Sequence, residues 1–135
     1  MGQQQLLLVI LVTIIVGIAT VVAINTFGSA ADSANLDAVR QDLASIAAAA
    51  QGDYMKPDML GGGSRSFDDF SFEGLGVPGD VSGNGSTLTN ENGTYTFEDD
   101  DQTLTVTAEP ASQASDPDIE DIVAIIRPDG MEYES

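Results

Sequence analysis

The spacing of apolar positions changes along the chain, and each change marks a different element. From Leu6 to Ile24 the residues are Leu, Val, Ile, Ala, Thr and Gly only, so no polar position sets a period. As a helix rising about 1.5 Å per residue, this run covers roughly 28 Å, the thickness of a hydrocarbon core. Past the small, polar stretch 25–31, Leu36, Val39, Leu43 and Ile46 recur at helical spacing, and Ala47 and Ala50 extend the stripe. Asp37, Arg40, Gln41 and Ser45 take other positions, and Gln51-Gly52 followed by Pro57 predicts that the helix stops near residue 51. Gly17 and the stretch 25–29 are the weak points of this helix, open to local unwinding or to close packing through small residues.

Residues 52–86 hold nine of the 14 glycines and read as a long irregular connection, with Phe67, Phe70, Phe72 and Leu75 as its anchors to the core. The period then becomes two. In TYTFEDDDQTLTVTA, Tyr95 and Phe97 alternate with polar residues, as do Leu104, Val106 and Ala108. A loop over 99–102 pairs Phe97 with Leu104 and Tyr95 with Val106, which puts all four on one face of a hairpin. DIVAIIRPDGMEY adds an apolar strand over 122–126, a turn at Pro128, Asp129 and Gly130, and a short strand around 131–133.

These elements predict an α+β fold: a long N-terminal helix, apolar in its first half and amphipathic in its second, packed on an antiparallel sheet of about four strands. Residues 1–31 form the apolar half. Residues 32–135 form a globular head made of the helix half 32–51, the glycine-rich loop 52–86 and the sheet 87–135. The stripe Leu36, Val39, Leu43 and Ile46 is expected to pack on Tyr95, Phe97, Leu104 and Val106.

No Lys or Arg precedes Arg40, although a secretory signal would have a basic flank and a single-span anchor is normally fixed by one. The segment is therefore expected to enter a bilayer and to leave it, with copies of itself as the other shelter. Charge sharpens the division. The chain has 22 Asp+Glu against 4 Lys+Arg, a formal charge of −18, all of it at or after Asp32. Phosphate backbones would repel such a head, so no nucleic-acid binding is expected. A saline setting suits it, because molar salt screens the repulsion.

The composition leaves little for catalysis. Without His or Cys there are no Ser-His or Cys-His pairs, no thiolate zinc ligands and no disulfide. The carboxylates Asp99–Asp101 read as a solvated hairpin tip, and those of 116–121 match no EF-hand spacing. The chain is expected not to be an enzyme and to need no metal or cofactor. Asn84-Gly85-Ser86 and Asn92-Gly93-Thr94 both satisfy the N-glycosylation pattern, and Asn-Gly is also a common turn pair.

A very apolar helix, then an amphipathic helix, a loop and an antiparallel sheet: in this layout the whole chain resembles a type IV pilin or a type II secretion pseudopilin. The resemblance implies a short basic leader cleaved before Met1, with Met1 as the processed, N-methylated residue. It gives Gln5 the assembly position where the family usually has Glu; Gln hydrogen-bonds an ammonium but cannot cancel its charge. The family's usual Pro in the first helix and its C-terminal disulfide are missing here. It further implies a homo-oligomeric helical filament whose core holds Gln5, Leu6, Leu7, Val9, Ile10, Ile14, Gly17 and Val21. Before assembly by the pilus machinery the subunit would sit in the cytoplasmic (inner) membrane, and afterwards at the cell surface. A major pilin is the preferred reading; a minor pseudopilin, or a single-span protein whose acidic head binds an extracellular partner, are the alternatives.

Overall fold

One helix, α1, runs without interruption over Gly2–Met55 in a computed structural model that describes residues 2–134. Met1, the expected processing site, lies outside the described residues. Gly17 and the stretch 25–29 stay helical. The chain separates into two compact units, one ending at Ala34 and the other running from Asn35. In the first, every described residue through Ala31 is exposed.

The second unit is an α+β layer pair. Residues of α1 from Val39 to Tyr54 lie against a six-stranded antiparallel sheet, β1 (Asp80–Ser82), β2 (Thr87–Thr89), β3 (Gly93–Asp99), β4 (Leu104–Pro110), β5 (Ile122–Arg127) and β6 (Gly130–Glu134), paired in chain order. The expectation of about four strands missed β1 and β2. Each is three residues long with a single apolar side chain, Val81 or Leu88. Pairing with β3 through β2 makes them strands, not an alternating pattern of their own. β1 thus falls within the stretch read as an irregular connection.

The core joins Val39, Leu43, Ile46, Ala47, Ala50 and Tyr54 of α1 to Leu88, Tyr95, Leu104, Val106, Ala108, Ala124 and Ile126 of the sheet. Phe67, Phe70 and Phe72 are buried in it and Leu75 is packed against it, as expected of the apolar anchors of the connection. Two of the expected packing residues differ. Leu36 is half-buried and outside this cluster, because the fully buried stripe of the helix begins at Val39 and the contacts before it are polar. Phe97 is also half-buried, covered edge-on by the rings of Phe70 and Phe72 at 4.7 and 5.2 Å.

The β3–β4 register is offset from the expected one. Asp99 faces Leu104, Phe97 faces Val106 and Tyr95 faces Ala108, so the loop is 100–103. Asp100 N–H donates to Thr103 O at 2.8 Å, and the tip is tethered from elsewhere: Phe67 N–H donates to Asp101 O at 3.1 Å and Tyr54 O–H to Gln102 Oε1 at 2.8 Å. Those tethers are tertiary, which is why local pattern misplaces the loop. The offset moves each facing partner by two residues and so keeps every side chain on its face.

The helix also outruns its expected stop. Gly52 costs about 1 kcal/mol in a helix relative to Ala, but continuing to Met55 buries Tyr54 against Phe67, with ring centroids 4.9 Å apart. Pro57 then prevents further helix, and the last carbonyls are satisfied by the following loop: Gly63 N–H donates to Asp53 O at 2.8 Å and Arg65 N–H to Tyr54 O at 2.7 Å.

Candidate functional site

The first unit presents a continuous apolar surface. Leu6, Leu7, Val9, Ile10, Ile14 and Val21 are all exposed, as are Gln5 and Gly17. At about 100° per residue these positions fall on one side of the helix, and the remaining residues of 6–24 carry the apolar surface around the rest of the axis. Gly17 opens a shallow apolar groove flanked by Ile14, Ile18, Val21 and Val22, and nothing lies within 4 Å of where its side chain would be. The hydroxyls in this segment do not interrupt the surface. Thr13 Oγ1 donates to Val9 O and Thr20 Oγ1 to Val16 O, both at 2.8 Å, so their donors are satisfied within the helix. This is one helix long and apolar enough to cross a membrane, and it is compatible with membrane insertion.

The second unit contains a polar cluster that the pattern of apolar residues does not announce. Asp42 and Asn35 are seven residues apart on α1, so they share the face that carries Val39 and Ile46. A single oxygen of Asp42, Oδ2, accepts from Tyr95 O–H at 2.6 Å, Asn92 Nδ2 at 2.8 Å and Asn90 Nδ2 at 3.0 Å. Asn90 in turn builds the β2–β3 turn, its Oδ1 accepting from the N–H groups of Asn92 and Gly93 at 2.9 and 3.2 Å. Asn35 closes the other side, donating from Nδ2 to Asn92 O at 2.9 Å while its Oδ1 accepts from Ser112 N–H at 3.0 Å. Further along α1, Gln51 Nε2 donates to Arg127 O and Gly130 O at 2.9 and 3.2 Å, holding the β5–β6 turn. Polar residues flanking the buried helix stripe, Asn35 and Asp42 on one side and Gln51 on the other, thus clip two turns of the sheet.

Burial of Asp42 raises its pKa, but the hydrogen bonds from Tyr95, Asn92 and Asn90 outweigh that, and the net shift is downward. Burial and the bond to the Asp42 carboxylate drive the Tyr95 phenol well above the usual tyrosine range. The signs fix a pH window. Asp42, depressed in the folded chain, contributes stability above about pH 4, the unfolded value, and loses it as pH falls through its folded pKa. Tyr95, raised in the folded chain, contributes below about pH 10 and loses it as pH rises toward its folded value. Asp42→Ala leaves three donors without their acceptor and should cost about 1–3 kcal/mol near neutral pH. Thermal unfolding of wild type and variant, followed by circular dichroism from pH 2 to 11, should show a gap that is widest between pH 4 and 10 and narrows at both ends.

An open cleft of about 820 Å³ lies beside this cluster, lined by Asp42, Pro78, Gly79, Asp80, Thr89, Asn90, Glu91 and Asn92. Its three carboxylates would repel anions. Among the described residues the hydrogen-bond partners of Asp42 are amide and phenol donors, an arrangement that holds the helix to the β2–β3 turn. Asp99, Asp100 and Asp101 are exposed at the hairpin tip, and among the described residues no three metal-ligating side chains gather. Of the two glycosylation patterns, Asn84 is exposed on a turn and Asn92 is held in the cluster.

Sequence reasoning missed Asp42, Asn35 and Asn90. The signal available was positional: two polar residues in register with an apolar stripe, and an Asn two residues before Asn-Gly. Comparison with family models, with characterised proteins and with solved structures yields no match.

Proposed function

We propose that the chain is the structural subunit of an extracellular filament of the type IV pilus kind, stored in the cytoplasmic membrane and assembled by bundling the 6–24 segments of many copies. The observation that carries this reading is the division of the chain. Residues 2–31 are exposed throughout and almost wholly apolar in 6–24, while residues from Asn35 onward have a closed core of their own. So large an apolar surface requires a cover. Lipid supplies one, and neighbouring copies of the same helix supply another.

The charge pattern favours a helix that changes cover. An anchor meant to stay is normally held by Lys or Arg at its cytoplasmic flank, and the residues 25–39 that follow the apolar run include no basic one. Drawing one Arg through the bilayer centre would cost about 2.5–3.5 kcal/mol on insertion scales, a penalty this segment does not carry. The acidic heads then form the outside of the filament, and the role is structural, not catalytic.

The test is direct. Material sheared from the surface of cells making this chain should contain filaments by electron microscopy, with the chain as their main component by mass spectrometry and residues 6–24 in the helical core at high resolution. Recovery only as dispersed single chains in the membrane fraction would overturn the filament and leave an ordinary anchor.

A further inference from the structure

The two glycosylation patterns sit in opposite environments. We propose that Asn84 is a site of N-glycosylation on the head and that Asn92 is not. This rests on one part of the reading above, that the head lies outside the cytoplasmic membrane.

Asn84 occupies the middle of a short 3-10 turn, Gly83–Gly85, between β1 and β2. It is exposed, and its side chain makes no hydrogen bond among the described residues. Its φ and ψ of 60° and 37° lie in the left-handed region, which Asn enters more readily than most residues. The turn is pinned on both sides of it: Ser86 Oγ donates to Gly83 O at 2.8 Å, and Phe72 N–H donates to Gly85 O at 2.9 Å. Gly85 is buried with φ 91°, and a side chain there would collide with Ser71. The middle residue of the pattern is therefore fixed as Gly and packed inward, while Asn84 stands at the exposed tip. Beside it β1 is exposed along its whole length, so the approach to Asn84 is open.

Asn92 differs in each respect. Its Nδ2 donates to Asp42 at 2.8 Å, its N–H to Asn90 Oδ1 at 2.9 Å, and its carbonyl accepts from Asn35 and Ala111. It is half-buried and Gly93 is buried. A sugar there would have to share the space in which α1 and the β2–β3 turn are clipped together.

The donor this chemistry requires is a sugar activated by a phosphate on its anomeric carbon, and for a head outside the membrane the carrier of that phosphate is a lipid served by a membrane transferase. Asn84 Nδ2 forms a bond to the anomeric carbon; the bond from that carbon to the phosphate oxygen breaks with its electron pair on the phosphate, and one amide proton passes to a base of the transferase.

Full-length protein purified from the cells that make it and cleaved after Glu91 yields Asn84 and Asn92 on separate peptides, whose masses decide the matter. The expected result is a sugar mass on the Asn84 peptide and none on the Asn92 peptide. Asn84→Gln and Ser86→Ala, both at exposed positions, should each lower that occupancy at least tenfold. A bare Asn84 peptide from wild-type protein, or a sugar on Asn92, would overturn the proposal. Bare Asn84 in chains recovered from filaments would do so while leaving the filament intact as a reading. A glycosylated Asn84 on chains found only dispersed in the membrane supports the site and removes the filament.

Discussion

Truncating Leu43 to alanine should destabilise the segment 35–135 by about 2–5 kcal/mol, the range for emptying a fully buried leucine site. Leu43 has no exposed surface and lies in the middle of the buried helix stripe, one turn from Val39 and from Ala47. The head has few means of absorbing the loss. It has no disulfide, and the ion pairs among its described residues are two exposed ones, Arg40 with Asp37 and Arg127 with Glu132, each worth at most about 1 kcal/mol. Stability therefore comes from one small core, the sheet ladder and the polar clips. Urea unfolding followed by circular dichroism is the measurement, since for a domain of this size 1 kcal/mol also moves the melting temperature by about 4–8 °C. Leu36→Ala is the control: Leu36 is half-buried and outside the core, so its loss should cost about 1 kcal/mol or less. Equal losses at the two positions, or a loss under half a kcal/mol at Leu43, would mean that the stripe packs on something other than the sheet.

That contrast between neighbours on one stripe shows what kind of information the sequence carries. Periodicity identifies a face, and Val39, Leu43, Ile46, Tyr95, Leu104 and Val106 are all buried on the faces it names. It does not say where along a helix the partner begins, which is why Leu36 and Val39 read alike and differ in burial. The same limit explains the β3–β4 offset: alternation fixes which residues share a face, while the position of the loop depends on Phe67 and Tyr54 reaching the tip from distant parts of the chain. β1 and β2 have too few apolar residues to create a pattern at all. Asp42 was hidden for a different reason. A carboxylate among apolar neighbours reads as a solvated position until its three donors, Tyr95, Asn90 and Asn92, are seen to converge from another element. The apolar segment 6–24, by contrast, was fully legible, because its character depends on composition and length alone.

The same segment sets up the largest effect expected of the assembled protein, a dependence on salt. If copies bundle their apolar helices, chains of formal charge −18 are brought within a few tens of ångströms, on the order of a helix-bundle diameter and a small domain. Nearly all of that charge is uncompensated, since 22 carboxylates face 4 basic residues. Repulsion then opposes the packing gain along 6–24. At about 0.01 M ionic strength the Debye length is about 30 Å and adjacent heads repel; at about 1 M it is about 3 Å and they scarcely do. Isolated filaments should therefore stay long and sediment at molar NaCl, and should shorten and release subunits on dialysis to 10 mM. Sedimentation and electron microscopy across the series give the readout. Circular dichroism at each salt concentration separates disassembly from unfolding, because low salt also removes screening within a head. Loss of sedimenting material with the head still folded assigns the effect to contacts between subunits. Filaments equally long at both extremes would show instead that helix packing dominates and that the acidic surface keeps the assembly dispersed without governing its stability.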